Sequence, residues 1–68
     1  MSVFDVVIEY TDGRIETVRE ANRTRVRDGQ LEVWYDGWGA WGTYERHLGG
    51  FPLVNIRKWN QVEKEGVR

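Results

Sequence analysis

Residues 34–47, WYDGWGAWGTYERH, hold three of the chain's four tryptophans, two of its three tyrosines and its single histidine, spaced by Gly37, Gly39 and Gly42. A glycine-rich segment costs entropy to order, and large rings in water cost solubility, so rings at this density must pack on something. Two conformations fit the stretch: a wide loop, or a short extra hairpin with Asp36-Gly37 as its turn. Which one holds decides whether the domain has five strands or more.

Working outward, residues 30–35 alternate, with Leu31, Val33 and Tyr35 on the inner parity and Glu32 and Trp34 on the outer. Asp28-Gly29 precedes them, and Asp-Gly tolerates the positive φ of a tight hairpin turn. The other arm of that hairpin is residues 23–27, where Thr24 and Val26 face one way and Arg23, Arg25 and Arg27 the other. Residues 3–10 read as a strand with Phe4, Val6, Ile8 and Tyr10 on its core side. Asp12-Gly13 turns it into a return arm over 14–19, where Ile15 and Val18 stand three apart and imply a bulge near Thr17. Beyond the aromatic segment, Gly49-Gly50 is expected to end it. Residues 51–59 then read as a last strand, with Val54 and Ile56 inside and Pro52 tolerated at its beginning.

The expectation is an all-β domain spanning residues 1–68, a five-stranded antiparallel meander curled into an SH3-like or Sm-like small barrel, with 60–68 a frayed tail. An open five-stranded sheet that dimerises through the tryptophans is the alternative. A chain of 68 residues buries little surface and needs a staple, and with no cysteine it has neither a disulfide nor the commonest zinc ligand. Aromatic packing or a homo-oligomer is what remains. The net charge of −1 steers no polyanion, and apolar runs such as Val6–Ile8 fall far short of a membrane span. A cytoplasmic protein that does not engage membrane is expected.

Two surfaces stand out. Trp34, Trp38, Trp41 and Tyr44 could offer flat rings to a protein or small ligand, with Arg46 and His47 as polar partners; the plainer reading makes the same rings core or subunit interface. Arg23, Arg25 and Arg27, roughly 6.6 Å apart at a strand rise of about 3.3 Å per residue, could track nucleic-acid phosphates with Arg19 nearby. The plainer reading there is a solvated face meeting acids such as Glu32 across the hairpin. Catalysis is not expected: His47 lacks a nucleophile partner, the only serine is Ser2, and one histidine leaves a metal to carboxylates alone. No cofactor is implied.

The succession IEYTDGRIETV (8–18), VRDGQLEVW (26–34) and ERHLGGFPLVNIRKW (45–59) resembles small uncharacterised β-rich proteins of actinobacterial phages. The resemblance implies a phage accessory protein that acts by binding a host or defence component, and it carries over no catalytic residue.

Overall fold

The even residues of the first strand have one destination. In the computed structural model, which describes residues 3–63, Val6, Ile8 and Tyr10 are buried, and so are Leu31 and Val33 of the fourth strand and Ala21 of the second. Six strands and one short turn of 3₁₀-helix follow each other: β1 (Phe4–Tyr10), β2 (Ile15–Ala21), β3 (Arg23–Arg27), β4 (Gln30–Gly39), β5 (Gly42–Pro52), the turn Leu53–Asn55, and β6 (Ile56–Glu63). They form two antiparallel three-stranded sheets, ordered β2-β1-β6 and β3-β4-β5.

The two central strands, β1 and β4, supply most of the fully covered side chains, because a strand flanked on both edges meets water on neither. Their inward rows meet as a single core against which Phe4, Val18, Leu48, Phe51, Leu53, Ile56 and Trp59 pack. Burying each Val, Leu or Ile fully contributes roughly 1.5–3 kcal/mol. So few positions explain why the two rows cannot tolerate a polar interruption.

The Asp28-Gly29 turn has positive φ at both residues, 53° and 75°, as a type I′ hairpin requires. At Asp12-Gly13 only the glycine does, at 93°. There Tyr10 O accepts from Gly13 N–H at 2.9 Å, and Tyr10 N–H donates to Arg14 O at 2.9 Å, so the loop has three residues rather than two. An Asp12 carboxylate oxygen accepts from Arg14 N–H and the other from Arg14 Nε, which together hold the Asp12 carboxyl below its ordinary range.

Several expectations are corrected. The barrel does not close: β2 passes into β3 through Asn22 alone, and among the described residues no ladder joins the two sheets. Among the described residues there are six strands, not five, because residues 42–50, in the aromatic segment and just beyond it, are themselves in a strand, and the expected strand 51–59 breaks at Leu53–Asn55, its start ending β5 and its remainder opening β6. Pro52 there has no N–H to continue the ladder, and Leu53 N–H donates to Gly29 O at 2.8 Å instead. Val54, expected inside, rides on that turn and is 84% exposed. Gly49 and Gly50 end nothing; they lie within β5, paired with Val33 and Glu32. The bulge of β2 lies at Arg19–Glu20 rather than Thr17, since Val6 faces Val18 while Phe4 faces Ala21. Glu20 takes the left-handed conformation, φ 61°, and its N–H donates to the Asp5 carboxylate at 3.1 Å. That extra residue puts Val18 and Ala21, three apart, on the same inward side. Residues 60–63, expected to fray, pair with β1 in β6; the rest of that tail, 64–68, lies outside the described residues.

Candidate binding arm and cleft

The aromatic segment is a hairpin, but not one turning at Asp36-Gly37. From Trp34 opposite His47, strands β4 and β5 stay in register to Gly39 opposite Gly42, and the tip is Ala40-Trp41. The partner strand β3 stops at Arg23 opposite Trp34, so from Asp36 to the tip the pair runs on as a two-stranded arm. Asn22 braces its root by imitating one more strand residue. Its side-chain Nδ2 donates to Asp36 O at 3.0 Å, Asp36 N–H donates to its Oδ1 at 2.8 Å, and its own N–H donates to Trp34 O at 3.0 Å.

Alternation along the arm divides the expected aromatic platform. Trp34, Asp36 and Trp38 share the outer face, whereas Tyr35, Gly37 and the facing Tyr44 share the inner one. Trp34 and Trp38 are about 13 Å apart at the strand rise, and Trp41 sits on the tip. Trp41 is 99% exposed and Trp38 77%. Tyr44 lies across Gly37, where a β-carbon would come within 2.4 Å of its ring, so a glycine is what lets that ring close over the strand. Tyr35 and Tyr44 are tilted neighbours at 6.4 Å between centroids.

At the root of the arm the outer face carries a column of stacked groups. The guanidinium of Arg23 lies 4.9 Å from the centre of the Trp34 ring, and the His47 ring meets Trp34 edge-on at 4.6 Å. Arg23 grips Asp36 with two hydrogen bonds, Nε to Oδ2 at 2.8 Å and Nη2 to Oδ1 at 2.9 Å, and reaches Glu45 at 3.5 Å. The hydrogen bonds from Arg23 hold the Asp36 carboxyl below its ordinary range, and the same pairing raises the Arg23 guanidinium. Trp34 takes the outer side that its parity assigns, but these two neighbours leave it half-buried, with its Nε1, like Glu32 Oε1, covered and without a hydrogen-bond partner among the described residues.

Of the four arginines read as one basic stripe, Arg23, Arg25 and Arg27 share one face of β3, and Arg19 does not join them. Arg23 is spent on Asp36 and Glu45, Arg25 stands opposite Glu32, and Arg27 lies 4.0 Å from Asp28. Arg19 belongs to the other sheet, at the β2 bulge. There it lines a cleft of about 340 Å³ with Val3, Glu20, Tyr35, Arg46 and Leu48. Arg46, assigned by sequence to the aromatic surface, and Arg19, assigned to the basic one, therefore meet around one opening. The reading of the chain missed Glu20, Tyr35 and Leu48 as its walls, although the slipped alternation at Ile15 and Val18 was a signal for the bulge that turns Arg19 and Glu20 towards it.

Among the described residues, no group of three or more His, Asp or Glu side chains could hold a metal ion, and no helix is long and apolar enough to cross a membrane. Comparison with known proteins finds no matching family model, no matching curated protein and no matching solved structure.

Proposed function

We propose that the chain is a non-catalytic binding module of the cytoplasm that assembles with copies of itself through the β4–β5 arm. The observation that carries this reading is the pair of tryptophans at the end of the arm, Trp38 and Trp41, both held out on a ribbon with little else to cover them. A two-stranded ribbon is marginal in water on its own, and tryptophan is among the residues most enriched where protein surfaces anchor each other. The order of elements supports reading the body as an opened SH3-like small barrel: a hairpin, a bent continuation, a long hairpin, one 3₁₀ turn and a last strand returning to the first. In the setting that the phage resemblance implies, the assembled arms would engage a host or defence component.

Light scattering tests it. The purified chain is expected to scatter as an assembly at high micromolar concentration, and the double variant Trp38→Ala, Trp41→Ala as a folded monomer. A monomeric parent chain, or a double variant that assembles as before, removes the arm as the interface.

A further inference from the structure

We infer that the cleft between the β2 bulge and the root of the arm is a binding site for a small organic oxyanion, a phosphate monoester or carboxylate carried on an apolar body. It uses none of the tryptophans of the arm tip and stands or falls separately from the arm.

The inference begins with the charges. Arg19 and Arg46 come from opposite sheets, one from β2 and one from β5, and both line the same cleft. Neither guanidinium has an ion-pair partner among the described residues, a property they share with Arg25 alone of the arginines there, whereas Arg14, Arg23, Arg27 and Arg57 each have one. Two like charges gathered at one concave opening repel each other, and an oxyanion seated between them removes that cost. The planar fork of a guanidinium matches the paired oxygens of phosphate and carboxylate alike. Among the described residues Glu20 is the one acid in the lining, so two arginines against one glutamate leave a single positive charge in excess there. That balance suits a compact anion and disfavours an extended polyanion.

The backbone supplies the second line of argument. Two bulges border this opening. On β2 the extra residue falls at Arg19–Glu20, and on β5 it falls at Leu48, because Val33 faces Gly49 while Trp34 faces His47. Bulges re-aim side chains and recur beside functional sites. Here the first carries Arg19 and Glu20 to the cleft, and the second lets Leu48 join the core cluster and line the cleft while His47 points to the outer face. The left-handed Glu20 is a conformation that a non-glycine residue adopts at a cost, and its N–H is pinned by Asp5.

The shape fits the ligand class. A volume of about 340 Å³ lies at the small end of sites for organic ligands. Val3 and Leu48 offer an apolar wall, and the Tyr35 phenol can donate to an oxyanion or take a ring against its face.

Amide-resolved NMR titration of the full chain with phenyl phosphate, benzoate and phenol tests the site. Phenyl phosphate or benzoate is expected to shift the amides of Arg19, Glu20, Tyr35, Arg46 and Leu48, and phenol, the same ring without the oxyanion, to leave them in place. The stronger of the two anions identifies which source chemistry the cleft prefers. Arg19→Gln and Arg46→Gln, both at exposed positions, are expected to keep the parent spectrum and each to weaken binding at least tenfold. Three results would overturn the inference: no shift from either anion at millimolar concentration, equal shifts from phenol, or undiminished binding by the double Arg→Gln variant.

Discussion

The body and the arm obey the same alternation and end in opposite environments. In the body, Leu31 and Val33 point inward from β4 and are wholly covered, because β1 and its sheet lie across from them. A few residues further along, on the same inner face, the Tyr44 ring that lies across Gly37 is 43% exposed, although it is larger than either. Strand β4 itself runs on unbroken: residues 30–39 pair with β5 on both sides of the bulge at Leu48, and Leu31, Val33, Tyr35 and Gly37 keep to one face. What changed is the opposing layer. Parity decides which side of a ribbon a side chain takes, and only a second sheet turns that side into an interior.

The comparison is broken most severely by truncating one residue from each end of β4's environment. Leu31→Ala is expected to cost about 2–5 kcal/mol, enough to unfold a domain this small, while Trp41→Ala stays within about 0.5 kcal/mol of the parent. Urea melts of the two variants check it; equal losses would mean that the arm contributes to the fold of the single chain. At the junction, Gly37→Ala would drive a β-carbon into the Tyr44 ring, with an expected loss on the order of 1–3 kcal/mol from overpacking. Adding Tyr44→Ala should recover most of that loss, and a double variant no more stable than Gly37→Ala would show that the glycine serves some other need.

The smallest expected effect concerns how the arm is held to the body in acid. The Asp36 carboxyl titrates below its unfolded value because Arg23 donates to it. A depressed folded value means that this stabilisation is complete above the unfolded value, about pH 3.9, and is lost as the pH falls through the folded one. Near-ultraviolet circular dichroism reporting on Trp34 should therefore change below about pH 4, and Asp36→Asn should lack that step. An identical acid profile in the variant would separate the ion pair from the packing at the arm root.

Much of the architecture was legible in the residues. The inward row Phe4, Val6, Ile8 and Tyr10, the row Leu31 and Val33, and the two Asp-Gly hairpins all follow from local rules of period two and of positive φ. Local rules also hinted at a bulge in β2, and missed its place by two to three residues because a slip in alternation marks an interval rather than a residue. The candidate site was legible only in fragments. Arg19 and Arg46 were each noticed, but on different imagined surfaces, since 27 positions of chain separate them.

What the chain by itself determined is therefore its strands, its turns and the face each side chain takes, because these depend on neighbours one to four positions away. The tertiary structure alone decided that the sheets stay open, that Pro52 and Leu53–Asn55 split the last strand, that Trp34 is half-covered while Trp38 is bare, and that two arginines share a cleft. Each of those depends on which surfaces meet across the core. Burial and charge pairing are properties of two segments brought together in space, and the spacing of residues within either one does not contain them.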